Sequence, residues 1–266
     1  MKKIQILLIS IITLFSFFYT EKISNLTLEK NEIYQEIKKQ SSKYEEKAVN
    51  AIVNNNEIIP GLNGKKVNIK ESFYNMIDLK TFNSYYLLYK DSYPEVSLEN
   101  NKDKIITQGN PEKKSVSFIT NSNNKIIEYF KNNNIMISIL TDIDTFDKNS
   151  NYEQINNEIT KFNKLESIIN KYTKNTNICY VNDNNINLCK THNKYLVKTN
   201  KILNNQTFLE IKNNIKSGDI YYIDSTIETK NIRILINSIM YKDLNIVSLS
   251  KLLSEEKNWF NSSFLV

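Results

Sequence analysis

The second half of the chain alternates short strand-forming segments with amphipathic helical segments, six times in succession. The strand-forming segments are rich in β-branched and aromatic residues, and helical apolar spacing fills the segments between them. This alternation predicts a parallel β-sheet with helices outside it, either closed as a barrel or left open as a doubly wound sheet. The predicted strands cover residues 116–120, 135–141, 178–181, 195–198, 220–223 and 246–249.

Two of the intervening helices are clear from the spacing of their apolar residues. The last long helix has apolar residues at i, i+3, i+4, i+7 and i+8, which is one helix face. These residues are Ile232, Leu235, Ile236, Ile239 and Met240. The same spacing predicts an earlier long helix through Ile155, Ile159, Phe162, Ile169 and Tyr172.

A small β-rich region is predicted ahead of the α/β domain. It begins with a turn cluster at residues 58–64, which holds two of the four glycines and one of the three prolines of the chain. A helix is expected through Phe73 and Met76, followed by an apolar strand at residues 85–89. The sequence Gly-Asn-Pro at residues 109–111 closes the region and marks its boundary.

The N-terminus predicts a membrane anchor. Lys2 and Lys3 precede an uncharged, mostly apolar run at residues 4–19, which is the pattern of a signal anchor or a secretory signal oriented positive-inside. Bulky Phe18 and Tyr19 make a poor cleavage site, so an uncleaved anchor with the bulk outside the cytoplasm is favoured, and secretion after cleavage is the alternative. A lipoprotein is excluded because no Cys follows the run.

These observations divide the chain into four predicted parts. They are a signal anchor at residues 1–24, a charged helical stalk at 25–56, the β-rich region at 57–111 and the α/β domain at 115–256. The stalk has only a thin apolar stripe, which includes Ile33, Ile37, Tyr44 and Ala48, and this suits a peripheral helix rather than a core element.

The composition excludes several function classes. With four glycines in 266 residues, no phosphate-binding glycine-rich loop follows any strand, so dinucleotide and nucleoside triphosphate binding are not expected. His192 is the only histidine, which excludes zinc sites built from several imidazoles. The net charge is +6, but the lysines are interleaved with acidic residues, so nucleic-acid binding is not predicted.

Three smaller features could carry chemistry. Cys179 and Cys189 are the only thiols, and outside the cytoplasm they are expected to form a disulfide or to stay buried. His192 follows Cys189 by three residues, which fits a surface histidine at a helix C-terminus, with a Cys–His nucleophilic pair as the alternative. Asp142, Asp144 and Asp147 are spaced like the start of a calcium loop but lack its glycine and its final glutamate.

The last third of the chain resembles the C-terminal part of a polysaccharide deacetylase (NodB homology) domain. Residues 215–224 read Ile-Lys-Ser-Gly-Asp-Ile-Tyr-Tyr-Ile-Asp, which is similar to the family pattern of a helix, Lys-x-Gly-x-Ile, three apolar residues and His. Residues 244–253, Leu-Asn-Ile-Val-Ser-Leu-Ser-Lys-Leu-Leu, resemble its closing strand and helix. Residues 116–119 and 135–140 look like its first two strands.

The resemblance implies a distorted, abbreviated (β/α) barrel that removes acetyl groups from N-acetylated sugars. Such enzymes hold a divalent metal with one Asp and two His, and they use a second Asp as base and a His as acid. In this chain Asn121 and Ser122 stand where the Asp pair belongs, no His lies between Asp142 and Ile178, and Asp224 replaces the acid His. The segment between Asp142 and Ile178 also looks too short for the family's third strand.

The sequence therefore predicts a catalytically inactive deacetylase-like domain at the cell membrane, with no cofactor, that binds a cell-wall glycan. A second hypothesis is a structural or protein-interaction module of the cell envelope. A third is a surviving hydrolase with a rebuilt site, in which Asp142, Asp144 and Asp224 hold a hard cation such as magnesium or calcium. The oligomeric state is left open.

Overall fold

The computed structural model describes residues 10–16, 22, 26–121, 124–173 and 177–257. The strands are β1 (Ile52–Asn54), β2 (Glu57–Ile59), β3 (Gly64–Val67), β4 (Tyr89–Ser92), β5 (Ile105–Ile106), β6 (Ser115–Asn121), β7 (Ser138–Thr141), β8 (Glu153–Asn156), β9 (Ile178–Tyr180), β10 (Tyr195–Val197), β11 (Ile202–Leu203), β12 (Ile220–Ile223) and β13 (Asn245–Ile246). The principal helices are α1 (Glu32–Gln40), α2 (Ile69–Met76), α3 (Asn124–Asn132), α4 (Phe162–Tyr172), α5 (Ile186–Thr191), α6 (Phe208–Asn213), α7 (Thr229–Tyr241) and α8 (Leu249–Leu253).

The chain divides into two compact units. The first contains residues 1–47 and 64–92, and the second contains residues 48–63 and 93–266. These units do not follow the predicted boundaries, because the predicted β-rich region at residues 57–111 contributes to both of them.

The first unit packs α1 against α2 beside the antiparallel pair β3–β4. Each helix begins with an asparagine cap: the side chain of Asn31 accepts from the Ile33 backbone N–H, and that of Asn68 accepts from the Glu71 N–H. Ile37 on α1 is fully buried in a small core with Phe73 and other apolar residues of this unit.

The prediction of a helical stalk at residues 25–56 is wrong beyond Gln40. A 3₁₀ turn at Ser41–Lys43 ends the helix, and β1 occupies residues 52–54. Ile37 also lies in a core rather than on a thin surface stripe, because α2 covers it. The strand expected at residues 85–89 is likewise displaced: Ser84–Tyr86 is a 3₁₀ turn, and β4 begins at Tyr89.

The second unit is built on two sheets of mostly parallel strands. One has the order β11-β12-β6-β7-β8, with β13 paired to the start of β6, and all its pairings are parallel. The other has the order β1-β2-β5-β10-β9 and is parallel except for the β1–β2 pair. Among the described residues, β8 and β9 lie side by side without ladder hydrogen bonds, so the two sheets form no closed barrel.

The alternation of side chains along β6 separates two layers of core. Val116 and Phe118 point toward the helices and pack with Phe130 of α3 and with Leu235 and other residues of α7. Ile119 points the other way and packs in a second cluster with residues of both sheets. Because the side-chain period of a strand is two, a strand that is buried on both faces reads as a continuous apolar run.

Strand β8, at the edge of the first sheet, was not predicted from the sequence. β8 pairs with β7 through residues 153–156, where a helix was expected, and α4 begins only at Phe162. Ile155 therefore faces the core from a strand, although its spacing to Phe162 fits a helix. The expected final strand is also shorter than predicted, because α8 begins at Leu249.

Most of the predicted anchor at residues 1–24 lies outside the described residues. Residues 10–16 of this segment are described, and they are helical. No helix within the described ranges combines the length and the apolar character needed to cross a bilayer.

Candidate functional site

The ends of the parallel strands bring together two of the positions that the deacetylase resemblance singled out. Asn121 is the last residue of β6, and Asp224 directly follows β12. Thr120 pairs with Ile223 in the β6–β12 register, so the two positions are neighbours at the carboxyl edge of the sheet. Ser122 lies outside the described residues.

The exposed side chain of Asn121 lies beside the hydroxyl of Tyr222 and slightly lowers the pKa of that phenol. The Tyr222 ring stacks on Tyr180 with centroids 5.7 Å apart and an interplanar angle of 17°. Burial raises the pKa of Tyr222, and the nearby negative charge of Asp224 raises it further. The side chain of Asn121 is a neutral amide, which does not take a proton from water at neutral pH.

Asp224 is held as an anion. Its Oδ1 accepts hydrogen bonds from the Thr226 hydroxyl at 2.6 Å and from the Thr226 backbone N–H at 2.9 Å. These bonds lower the pKa of the Asp224 carboxyl below its ordinary value. At neutral pH this group has no proton to donate to a leaving amine, in contrast to the histidine that the family resemblance places here.

The segment after β8 lacks the two histidines that the family resemblance places there as metal ligands. β8 ends at Asn156, and the segment that leads into α4 contains no histidine. Glu158 caps this turn: its Oε1 accepts from the Thr160 hydroxyl and backbone N–H and from the Lys161 N–H. The Thr160 hydroxyl is the main cause of a lowered pKa for the Glu158 carboxyl.

The aspartates of the calcium-like segment also serve as turn caps. Asp142 Oδ1 accepts from the backbone N–H groups of Asp144 and Thr145 and from the Thr145 hydroxyl. Asp147 Oδ1 accepts from the Asn149 N–H. Within the part of the chain that the structure describes, no group of three or more His, Cys, Asp or Glu side chains is arranged to hold a metal ion.

The two cysteines are joined in the structure. Cys179 on β9 and Cys189 on α5 form a disulfide with Cα atoms 6.0 Å apart, and both residues are buried. His192 caps the end of α5 and stacks on Phe162 with centroids 4.6 Å apart. The geometry agrees with the disulfide that the sequence suggested, and it leaves no free thiol beside His192.

Replacing both cysteines with alanine should lower the free energy of unfolding by about 3 kcal/mol at most, because the bridge closes a short loop of ten residues' separation. Urea unfolding measures this loss, and the reduced wild-type protein, which keeps both buried sulfur atoms, separates the effect of the bridge from that of the deleted side chains. The disulfide is contradicted if protein isolated from the cell envelope shows two free thiols when denatured without reductant.

Two cavities lie at the opposite, amino-terminal ends of the strands. One has a volume of about 620 Å³ and the other of about 690 Å³, and both are bordered by Ser250 and Ser254. The larger one contacts the first residue of β8, and the smaller contacts the first residues of β9 and β10. Sequence reasoning missed both, because their lining comes from turns and strand starts without a shared motif.

The arrangement of parallel strands and flanking helices is similar to the fold of solved CE4-family structures. The CE4 family pseudoenzyme BA3943 from Bacillus anthracis is 18% identical, and the match covers 85% of this chain and 96% of that one with a TM-score of 0.55. A mutant of BA3943, described as having restored enzymatic activity, matches with the same identity and TM-score over 99% of its length. The predicted resemblance is therefore confirmed for the fold.

Sequence comparison is less extensive. A curated relative, the uncharacterized protein YlxY of Bacillus subtilis, is 36% identical over 97 residues, which is 36% of this chain. The match spans 30% of the length of that relative. No protein-family model matches the chain.

Proposed function

We propose that this chain is a non-catalytic member of the CE4 fold that binds a glycan of the cell envelope without deacetylating it. The observation that carries the proposal is the chemistry at the strand ends: Asn121 is a neutral amide, and the Asp224 carboxylate is held as an anion by two hydrogen bonds from Thr226. Neither Asn121 nor an ionised Asp224 can carry out the proton transfer that the resemblance assigns to its position.

The chemistry of amide hydrolysis explains why these replacements matter. Attack by water on an N-acetyl group needs a base to take the proton of water, an acid to protonate the leaving amine and an electrophile to polarise the carbonyl. Asn121 cannot act as base, and an ionised Asp224 cannot act as acid. The resemblance assigns two metal ligands to histidines after β8, and this chain has asparagine, glutamate and threonine in that segment.

The names of the structural relatives point in the same direction. BA3943 is described as a pseudoenzyme, and one of its mutants as having restored enzymatic activity. In this chain His192 is the only histidine, and it stacks on Phe162 beyond α5. A single substitution at Asn121 would still leave the acid and the metal ligands missing.

The proposed location is the cell membrane, with the bulk of the chain outside the cytoplasm. The support for this location is the pattern of Lys2 and Lys3 before the apolar run at residues 4–19. The buried disulfide between Cys179 and Cys189 adds to it, because disulfides persist mainly in oxidising compartments.

We expect no release of acetate when the purified full-length chain is incubated with N-acetylglucosamine oligomers and zinc, cobalt, nickel, manganese or magnesium in turn. The Asn121→Asp variant should be equally inactive, because restoring one carboxylate supplies neither the acid nor the missing ligands. Acetate release by the wild-type chain that disappears in an Asp224→Asn variant would show a rebuilt active site and contradict the proposal.

A further inference from the structure

The smaller of the two cavities has a wall that is ordered by its own hydrogen bonds. The Tyr195 hydroxyl donates to Glu99 Oε2 at 2.8 Å, and Lys102 Nζ lies 2.6 Å from Glu99 Oε1 and 5.4 Å from the centre of the Tyr195 ring. Glu99 remains an anion, since the bonds from Lys102 and Tyr195 lower the pKa of its carboxyl. The aromatic ring and the carboxylate are thus held in place before any ligand arrives.

A second carboxylate that lines this cavity, Glu255, is also held in place by hydrogen bonds. Glu255 Oε1 accepts from the backbone N–H groups of Gly61 at 3.1 Å and Leu98 at 3.0 Å, and the Glu255 carbonyl accepts from the Asn63 N–H at 2.6 Å. The segment after α8 is therefore tied to two other loops that border the cavity.

The floor of the cavity is apolar, and its rim is aromatic. Leu98, Ile106, Ile178 and Leu253 line the floor and are buried. Tyr93 at the rim is 73% exposed. A mixed site of this size, with few polar groups above an apolar floor, is typical of small-ligand pockets rather than of gaps in packing.

The charges and polar groups of the residues that line the cavity favour one chemical class of ligand. Among the described residues that line the cavity there are two glutamates, several serines and asparagines, and no lysine, arginine or histidine. Lys102 pairs with Glu99 and does not line the cavity, so the lining offers an anionic ligand no cation, while the Glu255 carboxylate disfavours one. A ligand with many hydroxyl donors and a flat C–H face would satisfy the polar oxygens and pack on the tyrosine rings, whose faces carry partial negative charge.

We propose that this cavity, at the amino-terminal ends of β9 and β10, is the binding site for a neutral, hydroxyl-rich saccharide. The inference rests on the proposed function and locates the glycan at the end of the fold opposite Asn121 and Asp224. The adjoining larger cavity also borders Ser250 and Ser254 and is lined by Tyr152 and Tyr172. A saccharide chain longer than the first cavity therefore meets a second concave surface with further tyrosines.

The test is titration calorimetry of the full-length chain with the neutral hexamer of N-acetylglucosamine. We expect Tyr93→Ala to weaken binding about tenfold, because it removes an exposed aromatic face without disturbing the core. Glu99→Gln should weaken it severalfold, because an amide is a poorer acceptor than a carboxylate. Tyr241→Ala is the matched control: this tyrosine is 93% exposed on α7, lines neither cavity and should leave the affinity unchanged.

Three outcomes would overturn the inference. If the wild-type chain binds the hexamer and Asp224→Ala weakens binding while Tyr93→Ala does not, the glycan site is at the carboxyl ends of the strands, and the proposed function survives without this inference. If only the fully deacetylated, cationic glucosamine hexamer binds and Glu99→Gln abolishes binding, the ligand class is wrong. If neither hexamer binds, the proposed function itself fails for these glycans.

Discussion

Replacing Asp219 with alanine should lower the free energy of unfolding by about 3–5 kcal/mol, because it removes one partner of a buried ion pair with Lys201. Asp219 is only 2% exposed. Its Oδ1 lies 2.5 Å from Lys201 Nζ, and its Oδ2 accepts from the Tyr221 hydroxyl at 2.7 Å and from the Lys216 N–H at 2.9 Å. The variant leaves a phenol and a peptide N–H without their acceptor.

A double-mutant cycle with Tyr221→Phe separates the hydrogen bond from the rest of this loss. Tyr221 lies in the core, with its ring 5.5 Å from that of Phe118, so the phenylalanine fills the same space. In the Asp219→Ala background, Tyr221→Phe should be nearly neutral or stabilising, because it removes an orphaned hydroxyl. Urea unfolding followed by circular dichroism measures all four proteins. Simple additivity of the two substitutions would show that this bond contributes nothing.

The buried Tyr221 hydroxyl also makes the stability of the fold depend on pH in the alkaline range. Burial raises the pKa of the Tyr221 phenol, and the Asp219 carboxylate adds to this increase. The unfolded phenol loses its proton near pH 10, whereas the folded one keeps it. This group therefore contributes stability that is fully present below about pH 10 and is lost as the pH rises further.

Gly218→Ala is expected to lower the free energy of unfolding by about 3 kcal/mol, through strain and a clash together. Gly218 has φ +89°, a conformation that side chains with a Cβ rarely adopt. An added Cβ would lie 2.3 Å from the Gly109 carbonyl oxygen. The two segments meet at this point through a 2.8 Å bond from the Gly109 N–H to the Gly218 carbonyl.

Lys216→Ala in the same loop is the control for Gly218→Ala. The Lys216 side chain is exposed, and its backbone N–H still donates to Asp219 after the substitution. Thermal unfolding should shift strongly for Gly218→Ala and hardly at all for Lys216→Ala. Equal and small shifts would mean that the loop relaxes around the new methyl group and that the close approach of the two glycines is not required.

The segment that carried the family resemblance contains residues that stabilise the fold. Gly218 permits contact with Gly109, and Asp219 binds Lys201 and Tyr221 at the start of β12. The closing helix α8 is anchored in a similar way, since the Leu249 N–H donates to Ser138 Oγ at the start of β7. The residues that carried the resemblance thus stabilise the contacts between strands, loops and the closing helix of the second unit.

Much of the α/β architecture could be predicted from the sequence because it depends on local periodicity. The apolar runs that became β6, β9, β10 and β12 are recognisable within a few residues of their observed bounds, and the spacing of Ile232 and Leu235 predicted α7. The single histidine of the chain is also visible in the sequence, because counting a residue type needs no structure. The pairing of Cys179 with Cys189 was one of two alternatives that the sequence left open.

Other features depended on contacts between distant segments. β8 has four residues, and only its pairing with β7 distinguishes it from a helix start. Ile37 is a core residue only because α2 covers it. The cavity beside Tyr195 joins residues near position 60, position 95, position 195 and position 253, none of which form a motif along the chain. Periodicity and composition thus determined the class of fold and which residue types are scarce, because both can be read from the sequence itself. Only the tertiary structure decided where the cavities lie, because a concave surface arises when separate loops pack together.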